Sequence, residues 1–135
     1  MKFMRVTVKK SERAVLLRNG DFERVLAPGT HWLLAALDRL QVERFPIGSP
    51  AFSHPLAALL MAREPAVVAA HFVRVELGEH EAGLLSEDGA LVEILPPGTR
   101  RLYWKGLVDV QVERVPIAGD DAVALPPATA ARLVQ

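Results

Sequence analysis

The chain has 135 residues, 50% of them hydrophobic and 24% charged, a balance that excludes disorder along its whole length. Lys plus Arg (16) equals Asp plus Glu (16), so the basic excess of a nucleic-acid binder is missing and no nucleic-acid partner is expected. With no cysteine, disulfides, iron–sulfur ligation and thiol nucleophiles are excluded, and the reducing cytoplasm is the expected location.

At the N-terminus Met4, Val6 and Val8 alternate with Arg5 and Thr7. That period of two predicts a strand with one buried face, and it leaves no apolar run of the length, about 7–15 residues, that a signal peptide needs. Next, Asn19-Gly20 separates Ala14-Val15-Leu16-Leu17 from 22–26. Asn-Gly tolerates the positive φ of a two-residue type I′ turn, which predicts a β-hairpin. Pro28-Gly29 supplies a second turn, with Pro presetting φ. Leu40 and Val42 then share one phase of a strand, and Phe45 and Ile47 the other. This phase change, which Val112 and Val115 repeat in the last strand, predicts a β-bulge or bend near Arg44 and Arg114.

From 48 to 70 the pattern changes. Ser53 is read as the N-cap of a helix reaching Arg63, with Leu56, Leu59 and Leu60 turned toward apolar strand faces. Pro65 ends that helix, and 66–70 form another helical turn. The apolar run at 55–62 stops at Arg63-Glu64, far short of the ~20 residues a membrane-spanning helix requires.

The strand signals then return in the same order. Val73, Val75 and Leu77 alternate with Arg74 and Glu76; Asp88-Gly89 separates 83–85 from 91–95; Pro97-Gly98 follows. Residues 12–33 align with 81–102 without a gap, pairing Leu16/Leu85, Gly20/Gly89, Leu26/Leu95, Pro28/Pro97, Gly29/Gly98 and Thr30/Thr99. One further residue in the second copy restores register, so that Gln41-Val42-Glu43-Arg44 meets Gln111-Val112-Glu113-Arg114. Such recurrence is the mark of a duplicated supersecondary unit. The expected fold is mainly β with short helices (α+β): two tandem antiparallel β-hairpin-based repeats, 1–47 and 71–117, joined by a helical linker, 48–70. A tail, 118–135, carries a short helix over 128–133.

The stretch Glu12-Arg13-Ala14-Val15-Leu16-Leu17-Arg18-Asn19-Gly20, followed by Leu26-Ala27-Pro28-Gly29-Thr30-His31, resembles the opening segment of stomatin/prohibitin/flotillin (band 7) domains. There a strand, a Gly-containing hairpin and a Pro-Gly turn precede the main body. The whole chain resembles the N-terminal region of bacterial slipin-type proteins, with the helix-rich body and intramembrane segment of that family missing from it. The resemblance implies a scaffold without catalytic residues, brought to a membrane, if at all, by the parent protein.

His31, His54, His71 and His80 lack the i, i+4 spacing of a helical zinc motif, so no metal is expected. Ser11, Ser49, Ser53 and Ser86 lack a nucleophile-elbow context, Asp120-Asp121 reads as a turn, and no glycine spacing forms a phosphate loop. No catalytic residue and no cofactor is therefore expected. Arg44 and Arg114 follow Gln-Val-Glu in both copies and read either as anchors for a carboxylate or as partners of Glu12 and Glu81. Trp32, Tyr103 and Trp104 follow the Pro-Gly-Thr turns and read either as a contact surface or as core. The expectation is a non-catalytic protein-interaction or scaffold module that binds a protein partner or self-associates as a homo-oligomer, through β-edges or the aromatic end. The alternative is a small-ligand or peptide sensor using the cleft between repeats.

Overall fold

Residues 1–117 are described by the computed structural model of the chain. Among them the chain is mainly β: ten strands, all paired antiparallel, and two short helices. The expected short helix over 128–133 and the Asp120-Asp121 pair lie outside the described residues.

The first half holds β1 (Lys2–Val8), β2 (Glu12–Arg18), β3 (Asp21–Leu26), β4 (Gly29–Ala35) and β5 (Leu40–Pro46). Strand β1 pairs with β4, and β2 lies between β3 and β5. The hairpin between β2 and β3 closes at Asn19-Gly20, with φ of 53° and 85°, as a type I′ turn requires. Asn19 also ties the turn to the next loop. Its N–H donates to the Arg39 carbonyl at 2.8 Å, and its Oδ1 accepts from the Arg39 N–H at 2.9 Å. The two-stranded and three-stranded sheets enclose a core of Val6, Val8, Ala14, Leu16, Leu26 and Leu33.

The second half holds β6 (Phe72–Glu76), β7 (Glu81–Glu87), β8 (Ala90–Leu95), β9 (Arg100–Trp104) and β10 (Val110–Pro116). Here β6 pairs with β9, and β7 lies between β10 and β8. The turn at Asp88-Gly89 has φ of 51° and 84°, and Asp88 exchanges the same two bonds with Asp109 that Asn19 makes with Arg39. Val75, Leu77, Leu85, Leu95, Tyr103 and Val110 form this half's core.

Between the halves run α1 (Leu56–Arg63) and α2 (Pro65–His71). Pro65 occupies the first helical position of α2, where its missing N–H costs nothing but where it could not continue α1. Ser53 does not cap α1: no side chain caps Pro55 at its start. The His54 imidazole acts there instead, its Nδ1 accepting from the Leu56 N–H at 3.0 Å. Leu60 is fully buried and Leu56 packs on the core, whereas Leu59 is 37% exposed.

Helices, first half and second half meet in a third core. Val15, Leu17 and Ile47 contribute from the first half; Phe52, Leu60, Met61 and Val68 from the connecting segment; Phe72, Leu102 and Trp104 from β6 and β9. Phe45 and Phe52 cross edge-on with centroids 5.2 Å apart, and Phe72 and Trp104 approach to 4.3 Å. The segment before α1 also extends the β6–β9 pair: Ala51 bridges Tyr103, and the Phe52 N–H donates to the Leu102 carbonyl at 2.9 Å.

This third core explains the phase change read at Arg44. The β2–β5 ladder runs unbroken from Glu12↔Pro46 to Arg18↔Leu40, and the β7–β10 ladder from Glu81↔Pro116 to Glu87↔Val110, so no bulge occurs at either arginine. Leu40 and Val42 face one core and Phe45 the other, because β5 passes from one buried face to a second. The bulges lie instead in the hairpins, between Leu16 and Leu17 and between Leu85 and Ser86. Val6 pairs with His31 and Val75 with Arg101, which places the extra residue of the second half at the Pro97-Gly98 turn. Trp32 thereby corresponds to Leu102, and Leu34 to Trp104.

Candidate interaction surface

A strand pair packed on one side of a sheet presents its other face outward, and period-two alternation decides which side chains stand on it. In β1 and β4 the outward set is Phe3, Arg5 and Thr7 opposite Leu34, Trp32 and Thr30. Phe3 is 67% exposed, Trp32 66% and Leu34 41%. Three large apolar side chains on neighbouring positions of one sheet face make a contiguous patch, the kind that marks an interface on a folded domain. Exposed Met1 and Leu37 extend from the same end of the ladder.

The five residues singled out in the sequence separate in the structure. Trp32 stands on this patch. Tyr103 and Trp104 are 1% exposed: Tyr103 sits in the second half's core and Trp104 in the core between the halves. Their side chains are core, not contact surface. The Trp104 indole Nε1 is buried with no hydrogen-bond partner among the described residues. Phe3 and Leu34 were missed, because a Phe in an N-terminal strand and one Leu of a Leu-Leu pair carry no signal until the ladder register sets them face to face.

Arg44 and Arg114 are held by their own chain. Arg44 Nη1 donates to Glu12 Oε1 at 3.0 Å and to the Thr7 carbonyl at 2.6 Å. Arg114 Nη1 donates to Glu81 Oε1 at 3.1 Å. The two carboxylates also close equivalent loops, Glu12 accepting from the Lys9 N–H and Glu81 from the Gly78 N–H. The Lys9 N–H, and after it the Arg44 guanidinium, hold the Glu12 carboxyl below the usual carboxylate range. Both arginines thus pair with glutamates that close equivalent loops.

One cleft lies between the connecting segment and the second half. It has a volume of about 560 Å³ and is lined by Ser53, His54, Glu93, Arg100 and Arg101 among others. Its cations are already neutralised. Arg101 donates to both Glu93 oxygens and to the Tyr103 hydroxyl, and Arg100 to Glu76 at 3.0 Å. His54 contacts Glu43 at 2.8 Å, and His31 the Ala27 carbonyl at 2.7 Å. Among the described residues no three His, Asp or Glu side chains gather to hold a metal ion, and no helix is long and apolar enough to cross a membrane.

Comparison with known proteins finds no matching family model, no matching curated protein and no matching solved structure.

Proposed function

We propose that the chain is a non-catalytic protein-interaction module, two tandem β-units joined by a helical linker, and that the outer face of β1–β4 is its binding surface. The slipin-like resemblance of the hairpin segments agrees with a scaffold role in the cytoplasm, with any membrane association coming from a parent protein. The observation that carries the reading is the Phe3, Trp32 and Leu34 patch. Fully burying an apolar side chain of this size stabilises a complex by about 1.5–3 kcal/mol, and Trp is over-represented among residues that dominate binding energy. The sensor alternative has the 560 Å³ cleft as its seat, but Glu93 and Glu76 already occupy the arginines that would recognise an anionic ligand.

The test is a photo-crosslinking residue placed at position 34 in the full chain, irradiated in an extract of the cells that produce it. A covalent adduct with a protein, abolished by Trp32→Asp, is the expected result. No adduct, or one indifferent to Trp32→Asp, refutes the reading.

A further inference from the structure

We propose that residues 118–135 cap the second half: they fold back over the outer face of β7, β8 and β10, as the connecting segment covers the same face of β2, β3 and β5. This face is distinct from the β1–β4 surface of the interaction module, so the two readings stand or fall separately.

Both halves send the chain out of their three-stranded sheets in the same way. The Ile47 N–H donates to the Ser11 carbonyl at 3.0 Å, and the Ile117 N–H to the His80 carbonyl at 2.7 Å. Ser11 and His80 each precede the glutamate that opens β2 or β7, so the two bonds are equivalent. Beyond Ile47, the side chains of Phe52, Leu60, Met61 and Val68 pack with Val15 and Leu17 of β2 in a core that β6 and β9 join. Beyond Ile117 the sequence again sets apolar side chains among alanines, at Val123, Leu125, Leu133 and Val134. The last unit of a tandem repeat needs such a cap, because no further unit follows to bury its face.

The face in question is already dry. Leu84 stands opposite Ile94 as Val15 stands opposite Val25, and Val115 opposite Ala82 takes the place of Phe45 opposite Arg13. Leu84 is 3% exposed, and Ala82 and Val115 are 6% exposed, yet none of the three belongs to any core formed by the described residues. On the β1–β4 face, by contrast, Phe3 is 67% exposed and Trp32 66%. A side chain on a sheet face has only its ladder neighbours beside it there, so three strands do not by themselves dry the middle of that face. The cover comes from elsewhere in the chain, and 118–135 is the part that continues directly from β10. Crossing from β10 over β7 to β8 takes about 10 Å at the usual strand spacing, which about three extended residues span. Exposed Val92 and Ile94 mark the rim of the cap on β8.

A photo-crosslinking residue at position 113 of the purified full chain, opposite Leu84 in the ladder, tests this, with position 94 as a second variant. Both sites are exposed, so the substitution leaves the fold intact. Irradiation in dilute solution is expected to give an adduct of monomer mass that peptide mapping places within 118–135. Changing Val123, Leu125, Leu133 and Val134 together to Asp is expected to abolish that adduct. The same change is expected to raise the fluorescence of an apolar-surface dye several-fold, as Leu84 and Val115 become accessible. Thermal unfolding checks that this variant still folds cooperatively; if it does not, the mapped adduct of the chain with its natural 118–135 decides alone. An adduct confined to 1–117, an adduct of dimer mass or no adduct at either position overturns the proposal, as does a folded tail variant with unchanged dye fluorescence. The cross-linking at position 34 decides the interaction-module reading independently of all of these.

Discussion

Asn19 shows how one side chain sets a hairpin. Its left-handed backbone is costly for most L-residues, and its amide offsets that by bonding the Arg39 N–H. Asn19→Ala is expected to lose about 1–2 kcal/mol of stability in urea titration. Asn19→Gly, which removes the amide but relaxes the backbone, is expected to lose less. Asp88→Asn is expected to be nearly neutral, since Asn already performs that task at position 19. At His71, partial burial first, and then the nearby Arg13 and Lys105, push the imidazole below its ordinary value. Its neutral form is therefore the one the fold favours. The unfolded chain takes up the proton at higher pH than the folded one does, so stability is complete above about 6.5 and falls as pH drops through 6.5 toward the lowered value. Between pH 7 and 5 the melting temperature is expected to decline, and His71→Gln to flatten that decline.

The helix α1 buries the adjacent pair Leu60 and Met61. Leu60 is fully buried in the core between the halves, while its neighbour Leu59 is 37% exposed. Leu60→Ala is expected to cost about 2–5 kcal/mol and Leu59→Ala no more than about 0.5 kcal/mol, compared by denaturant midpoint at constant slope. Equal losses would mean that α1 packs with a different face inward. The leucine spacing was readable in the sequence as a helix. Which of three leucines is buried was not, because that depends on how α1 seats on the core between the halves. Ser53 fails as the cap of α1 for a related reason. Ser53 has the chemistry of a cap, but the strand-like bonds from Pro50 and Phe52 to β9 hold the chain extended there, and the helix starts three residues later, where His54 can reach the Leu56 N–H.

At the scale of the whole molecule the strands β6 and β9 belong to two cores at once, Tyr103 and Val75 on one face and Trp104 and Phe72 on the other. Contact between the halves is tightened at Gly106, where φ is +115° and an added Cβ would lie 2.5 Å from the Arg13 guanidinium. Such sharing couples the halves. Urea unfolding followed by far-ultraviolet circular dichroism and by the fluorescence of Trp104, with the other tryptophan replaced as Trp32→Phe, is expected to give coincident transitions. Two separated transitions would show that the halves fold independently and that the shared core is weak.

Much of this architecture follows from local rules that a sequence states directly. Asn-Gly and Asp-Gly place the turns, alternation places the strands, and the charge-free runs at 14–17 and 83–85 place β2 and β7 in the middle of their sheets, where no edge is left open. What only the tertiary structure decided is which face meets what. Trp32 and Trp104 both follow a Pro-Gly-Thr turn, yet one is a surface residue and the other core. Both stand on the outer face of a two-stranded pair, Trp32 opposite Arg5 and Trp104 opposite Phe72, so the ladder does not distinguish them. The outer face of β6–β9 then meets the first half's sheet, while that of β1–β4 meets no other described residue's core. Period and turn chemistry are properties of near neighbours in the chain; burial is a property of neighbours in space, and no local pattern specifies those.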